Sequence, residues 1–383
     1  MVDSKTGERA GRPGLKSRLV SLDVFRGTTI AAMMLVNNPG TEDAVYPPLR
    51  HADWHGWTFT DTVYPFFMWI VGVAMTLSLG RRAERGDARS RLILHAARRA
   101  AVIFCLGLFL DAFPHFNLAT MRIPGVLQRI AVCYFVATVI FLFTGIRGQI
   151  FWTAGFLTAY WLVMKLVPVP GWGAGILEKE GNLEQYVDSL LLGGHIWRHT
   201  ETWDPEGIVS TLPAVATVLF GILAGQILRI NRRPEERAAW MFFSGNILIF
   251  AGLVTNIWLP INKNLWTSSF SVFMAGLAAS AFACCYWIID VKGYQSWAKP
   301  LAIYGMNAIA VYVLAGLFER CLVLVRVAGD DGTRVTLREL IYLRYFAPLA
   351  SPINASLIFG LSFSLLLYFV SYLMYRRKWF IKI

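Results

Sequence analysis

The sequence predicts an all-α polytopic membrane protein with about ten transmembrane helices and both termini cytoplasmic. Composition is the first reason: the 383 residues are 56% hydrophobic and 16% charged, with mean hydropathy +0.50, far more apolar than an ordinary soluble domain. Apolar runs long enough to cross a ~30 Å hydrocarbon core also recur from end to end. Between those runs, basic residues bunch in alternate loops, the asymmetry that orients membrane proteins.

The N-terminal tail, residues 1–18, is polar and basic, with Lys5, Arg9, Arg12, Lys16 and Arg18. It reads as a disordered cytoplasmic segment. Residues 19–383 then read as a single transmembrane domain. The first span, near 20–37, has its start interrupted by Asp23 and Arg26, so it is not read as a cleavable signal. Asn37-Asn38-Pro39-Gly40 ends it on the outer side. The second span, near 57–79, follows at once on Arg50-His51-Ala52-Asp53-Trp54-His55-Gly56-Trp57 and carries Asp61 about one turn inside. A loop rich in arginine (Arg81, Arg82, Arg85, Arg89, Arg91, Arg98, Arg99) leads into the third, near 92–112. Pro124-Gly125 opens the fourth, near 124–144, and Arg147 precedes the fifth, near 149–167.

The longest outer loop, about 168–207, is acidic and holds a short helix near Leu183–Leu192. Spans six (208–228), seven (238–259), eight (265–289), nine (299–324) and ten (353–375) complete the set. A second outer loop, about 325–351, contains the turn signal Gly329-Asp330-Asp331-Gly332 and an amphipathic stretch with Leu337, Leu340, Ile341 and Leu343.

The net charge of +12 invites a nucleic-acid reading, but the distribution of the charges rejects it. About 23 of the 36 Lys+Arg lie in loops assigned to one side, where topology and attraction to anionic lipid explain them. The expected partners therefore include the bilayer and no nucleic acid. All five cysteines fall inside predicted spans and lack metal-site spacing, so they read as packing residues. No internal repeat is evident, which argues against a classical carrier.

Polar groups from several spans share the outer level of the membrane: His51, His55 and Asp61; Arg122, Gln128 and Arg129; Asn256, Asn262, Lys263 and Asn264; Glu319 and Arg320, with Asn307 deeper in the same span. Ionisable groups at that depth are costly unless paired or wetted. Their common level predicts an outward-facing cavity with a carboxylate near an imidazole. His51 is the candidate base, because a neutral imidazole titrates close to neutral pH. Asp53 and Asp61 are both candidate partners. Arginine or lysine suits an anionic substrate group, and asparagines suit an oxyanion. His51 and His55 have the spacing of a helical metal pair, but no third ligand follows, so no metal is expected. Asp23 and Arg26 share a helix face near the cytoplasmic end, as an ion pair or as substrate contacts.

These residues fall in blocks that resemble the heparan-α-glucosaminide N-acetyltransferase family of transmembrane acyltransferases. The blocks are Ser21-Leu22-Asp23-Val24-Phe25-Arg26-Gly27; His51-Ala52-Asp53-Trp54-His55-Gly56 running on to Asp61 and Pro65-Phe66-Phe67; Arg122-Ile123-Pro124-Gly125-Val126-Leu127-Gln128-Arg129-Ile130; Asn262-Lys263-Asn264-Leu265-Trp266-Thr267; and Tyr304-Gly305-Met306-Asn307-Ala308-Ile309. The resemblance implies transfer of the acetyl group of cytosolic acetyl-CoA to the amine of a glucosamine-type sugar across the membrane. It implies His51 and Asn37 as catalytic residues, and Asp61 joins them as a candidate carboxylate partner of the imidazole. As substrate-binding residues it implies Asp23, Arg26, Arg122, Gln128, Arg129, Asn262, Lys263, Asn264, Trp266 and Asn307. Acetyl-CoA is the co-substrate, no metal is needed, and a homodimer and a bacterial inner membrane location are further expectations, with the His51 loop periplasmic. His55 stands where the family has asparagine and Ala315 where it has histidine, which predicts a different acceptor. Two rival readings are a permease for N-acetylglucosamine or muropeptide-type sugars and an O-acyltransferase of surface glycans.

Overall fold

The computed structural model describes residues 19–200, 202–328 and 334–381. The basic tail, Glu201, the 329–332 turn signal and Lys382 lie outside the described residues. The chain is helical almost throughout. Helix α1 spans Val20–Val36, α2 Phe59–Glu84, α3 Arg89–Ala112, α4 Val126–Phe143 and α5 Ile146–Leu166. A two-stranded hairpin (β1 Pro168–Val169, β2 Gly173–Ala174) leads to the short helix α6, Leu183–Leu192, capped by Asn182, whose side chain accepts from Gln185 N at 2.8 Å. Helices α7 (Thr211–Arg229), α8 (Pro234–Thr255) and α9 (Ser268–Tyr286) follow, the last prolonged by a π turn at Trp287–Val291. Then come α10 (Lys299–Met306), α11 (Ala308–Leu324), an antiparallel pair (β3 Arg326–Ala328, β4 Arg334–Thr336), the short α12 (Leu337–Ile341) and α13 (Pro352–Arg376).

Among the described residues seven helices are long and apolar enough to cross a membrane, and an eighth crossing is added if α10 and α11 are one span. The two further predicted spans fall on α1 and α5. At 17 residues, α1 is only about 26 Å long, slightly under a ~30 Å core. Helix α5 carries Gln149, Thr153 and Lys165 within its 21 residues. The sequence treats residues 299–324 as one continuous span, whereas the structure bends it by 77° at Asn307. Asn307 leaves helical geometry (φ −122°, ψ 36°), and both ends of its side-chain amide engage backbone beyond α13: Nδ2 donates to Trp379 O (3.0 Å) and Oδ1 accepts from Ile381 N (2.9 Å).

The core is built where small residues let helices approach. A Cβ on Gly72 of α2 would lie 2.1 Å from Val218 O of α7, and one on Gly221 would lie 2.0 Å from Trp69 O. Gly27 of α1 and Gly305 of α10 make a similar close crossing. Without a hydrophobic driving force between helices in lipid, such close backbone packing supplies the association energy. One apolar cluster runs through α1, α2, α4, α7, α9, α11 and α13, with Met68, Ile130, Val218, Trp266 and Phe270 at its centre. The loops after α1, α3, α5, α8 and α11 converge at one end of this bundle, where the polar residues gather. The arginine-rich turn between α2 and α3 lies at the other.

Candidate active site

The site begins with the N-terminus of α2. Asp61, at the third helical position, reaches back to the N–H of Thr58 (Oδ2, 3.0 Å), half of a capping box. The same oxygen accepts from Ala52 N (3.0 Å) and the Thr58 hydroxyl (3.2 Å), and that hydroxyl also donates to Arg50 O (2.5 Å). One capping carboxylate thus folds residues 50–58 back over the helix end. Its other oxygen, Oδ1, meets His51 Nδ1 at 2.6 Å. Asp61 is 1% exposed and the His51 side chain 49%. A carboxylate at Nδ1 selects the tautomer that carries its proton there, leaving the lone pair on Nε2. Asp53 is exposed, so of the two candidate partners it is Asp61 that pairs with His51.

The rest of the loop is pinned elsewhere. Trp54 is buried, donating from Nε1 to Leu177 O (2.8 Å) and packing edge-on to Trp203 at 5.3 Å. Gly56, at φ +99°, donates to Ile261 O (2.7 Å), a conformation that favours glycine. His55 faces Asn262 Nδ2 (3.3 Å) and Glu178 Oε1 (3.7 Å), so the two histidines have different partners.

The turn between α8 and α9 supplies the opposite wall. Lys263 Nζ lies 3.3 Å from Nδ1 and 3.4 Å from Nε2 of His51. Burial pushes this ammonium below the usual lysine range, against the pull of Asp61 and Glu206, with Arg129 and Arg122 adding to the depression. Asn262 is fully buried and structural: its Oδ1 accepts from Leu265 N (2.9 Å) and its N–H donates to Thr267 Oγ1 (3.1 Å). Trp266, at φ +44°, is buried too. Its indole N–H donates to Thr217 Oγ1 (3.2 Å) and its ring backs Arg129 at 5.3 Å. Asn264 is half-buried in the same turn.

Arg129 on α4 is 3% exposed. It donates to Gly207 O (3.1 Å) and Ser210 Oγ (2.5 Å), while its Nε and Nη1 have no partner among the described residues. Arg122, just before α4, grips Asp204 through two nitrogens (2.8 and 2.5 Å) and Glu206 (2.5 Å), and its guanidinium covers Trp197 at 5.6 Å. Burial disfavours its charge, but Glu206 and Asp204 outweigh burial and raise its pKa. The loop carrying those carboxylates is fastened by α6: Asp188 accepts from Ile208 N (3.0 Å) and Asp204 N (3.2 Å). Burial, with the neighbouring charge of Asp204, lifts Asp188 to about 6. Burial and then the charge of Asp188 lift Glu184 well above the usual carboxylate range.

Asn37, Gln128 and Arg122 line a cavity of about 190 Å³ between α1, α3, α4 and α11. Gln128 Nε2 donates to Asp111 Oδ2 (2.8 Å). The structure therefore gathers His51, Asp61 and Lys263 in one group, Asn37, Arg122 and Gln128 around a cavity, and Arg129 with Trp266 as a buried support. Asp23, Arg26 and Asn307 are not among them. Asp23 is about 21 Å from Asn37 along α1, and Arg26 contacts Asp23 (3.5 Å) and Gly305 O (3.4 Å). Sequence reasoning passed over Asp111, Asp204 and Glu206 as site residues. A carboxylate at the end of the third span was the signal available for Asp111.

A family model described as heparan-alpha-glucosaminide N-acetyltransferase, catalytic, matches residues 18–255. That range ends before the turn carrying Lys263. The heparan-alpha-glucosaminide N-acetyltransferase of Homo sapiens is 30% identical over 360 residues, covering 80% of this chain and 54% of the relative. That of Mus musculus is 30% identical over 352 residues, covering 78% and 53%. The chain thus spans about half the length of the curated relatives it matches.

Proposed function

The chain belongs to the heparan-alpha-glucosaminide N-acetyltransferase family, and from that membership we propose that it is a membrane N-acetyltransferase moving the acetyl group of acetyl-CoA to the amine of a glucosamine-type sugar. The observation that carries this reading is the His51–Asp61 contact beside Lys263, a base with a fixed tautomer at the polar end of an apolar bundle. Counting α1 and α5 as crossings gives ten spans, and the positive-inside rule then supports cytoplasmic termini with His51 on the outer side of the membrane.

In this reading CoA, a polyanion, is drawn to the arginine-rich end, where Arg81, Arg82, Arg98 and Arg99 lie. The thioester reaches through the bundle toward His51. Nε2 removes a proton from the acceptor nitrogen as that nitrogen attacks the thioester carbonyl carbon. The oxyanion is met by Asn37, Asn264 or the unspent N–H groups of Arg129. Collapse breaks the C–S bond, and the imidazolium returns its proton to the departing thiolate. Alternatively Nε2 itself takes the acetyl group and passes it on.

Labelled acetyl-CoA and glucosamine incubated with the purified protein test this. Acetylated glucosamine from wild type, and none from His51→Ala, is expected. No transfer by wild type overturns the enzyme reading, and transfer to hydroxyls alone overturns the acceptor. The broken helix at Asn307 is the one observation that favours a permease. Asn307, however, commits its amide N–H to Trp379 O and its amide oxygen to Ile381 N, so both ends of the amide hold backbone at the break.

A further inference from the structure

We propose that Glu184 is a positioning residue for Arg129: acting through the Ser210 hydroxyl, its ionised carboxylate fixes the guanidinium and its protonated form releases it. The proposal rests on the acetyltransferase reading, in which the unspent N–H groups of Arg129 meet the oxyanion, and it adds the group that controls them.

On α6 and the segment before α7, Glu184, Asp188 and Asp204 are fully buried. Asp188 holds the N–H groups of Asp204 and Ile208, and Asp204 holds Arg122. Glu184 differs from both, since neither of its oxygens has a hydrogen-bond partner among the described residues. Burying a carboxylate this way is costly unless it is neutral or a donor can turn to it. Asp188 and Asp204 oppose its charge, and Arg129 on α4 favours it. Tyr160 on α5 also faces it, but gives its hydroxyl hydrogen to Leu265 O at 2.7 Å. Arg129 is the complementary case: Nη2 is spent on Gly207 O and Ser210 Oγ, while Nε and Nη1 are unspent among the described residues.

The Ser210 hydroxyl joins the two. Its oxygen accepts from Arg129 Nη2 at 2.5 Å, and its hydrogen goes to Gly207 O over a long 3.3 Å. Ser210 also lies close enough to Glu184 to favour the ionised carboxylate. A hydroxyl has one hydrogen to give. When Glu184 is neutral, that hydrogen stays on Gly207 O. When Glu184 is ionised, the hydrogen turns to it, and a charge-assisted chain runs from carboxylate through hydroxyl to guanidinium. The chain holds Arg129 in one orientation against the Trp266 ring, with Nε and Nη1 ready for developing negative charge. Burial, and then the charge of Asp188, raise the Glu184 pKa, so the change of state falls above the usual carboxylate range.

Steady-state acetyl transfer by the full chain in lipid nanodiscs, wild type against Glu184→Gln, tests this between pH 5 and pH 8.5. The ratio of the two kcat values cancels the pH limbs of His51 and Lys263, which both enzymes share. It should be near one at pH 5, where Glu184 keeps its proton. By pH 8.5 it should reach about tenfold, part of the roughly 10²–10³-fold that an oxyanion donor supplies, with the acceptor KM unchanged. At pH 7.5 Glu184→Gln should melt higher than wild type, having lost a buried charge, and yet turn over more slowly. A merely structural residue would lose stability and activity together. Ser210→Ala should lower kcat similarly, and adding Glu184→Gln to it should cost nothing more. A ratio that is flat with pH, or costs that multiply in the double variant, overturns the proposal. The nitrogen NMR resonance of Arg129 Nε, assigned with Arg129→Lys and followed without acetyl-CoA, should shift with pH in wild type and stay fixed in Glu184→Gln. That shift without acetyl transfer by wild type sinks the acetyltransferase reading and leaves the link from Glu184 to Arg129 standing. Acetyl transfer by wild type with no such shift does the reverse.

Discussion

His51 Nδ1 and Asp61 Oδ1 lie 2.6 Å apart, and the carboxylate oxygen not used by the imidazole is held by the N–H groups of Ala52 and Thr58. One residue therefore both caps α2 and fixes the His51 imidazole. His51→Ala should lower acetyl transfer by roughly 10²–10⁴-fold, the usual contribution of a positioned acid–base group. Asp61→Asn should cost activity as well, by presenting the wrong tautomer, and should lower the melting temperature because the cap is weakened. Steady-state rates and thermal melts on both variants check this. An Asp61→Asn enzyme with full activity would separate the cap from the catalyst.

Lys263 faces both ring nitrogens of His51, and burial depresses its pKa below the usual lysine range. If its ammonium form assists transfer, activity falls on the alkaline side as that proton is lost, earlier than an ordinary lysine would allow. Lys263→Met should then reduce kcat/KM about tenfold and abolish the alkaline limb of the pH profile. Lys263→Arg should not restore it, since a planar guanidinium cannot sit as a point charge over the ring. An unchanged profile in Lys263→Met would make this residue a bystander.

Glu184 and Asp188 sit one turn apart on the buried face of α6, both with raised pKa values. A carboxylate whose folded pKa is raised binds its proton more tightly when folded. Its stabilising effect is complete below the unfolded value, near 4, and is lost as pH rises through the folded value, about 6 for Asp188, with Glu184 shifted in the same direction. The protein should melt at a higher temperature at pH 4.5 than at pH 7.5. Glu184→Gln, which removes the charge and keeps the shape, should raise the melting temperature at pH 7.5 and change it little at pH 4.5. Thermal melts across that range decide the matter.

Arg122 holds Asp204 and Glu206, which are 0% and 8% exposed. Removing it leaves two carboxylates buried without their counter-charge, a loss of about 3–5 kcal/mol for a broken buried pair. Arg122→Ala should therefore destabilise the loop between α5 and α7, seen as faster proteolysis within residues 167–210. Arg122→Lys should recover only part of the loss, because an ammonium cannot grip Asp204 through two nitrogens.

Gly72 lies at a close crossing of α2 and α7. A methyl group there meets Val218 O at 2.1 Å, and backbone cannot rotate away as a side chain can. Gly72→Ala should cost about 1–3 kcal/mol and reduce activity through displacement of α2, which carries Asp61. Gly155→Ala, with open space around its Cβ position, is the control expected to behave as wild type.

The class of molecule and most of its helices were legible in the amino-acid sequence, which also singled out His51 as the candidate base. Hydropathy and charge act over a single turn or loop, so runs such as 265–289 and 353–375 announce themselves locally. The short helix α6 was legible for the same reason. The choice of Asp61 over Asp53 and the bend at Asn307 came from tertiary structure alone. It alone joined Arg122 to carboxylates 82 and 84 residues away and made Asp111 a cavity wall. Pairing across that separation depends on which helix faces meet, and no local pattern of residues encodes that.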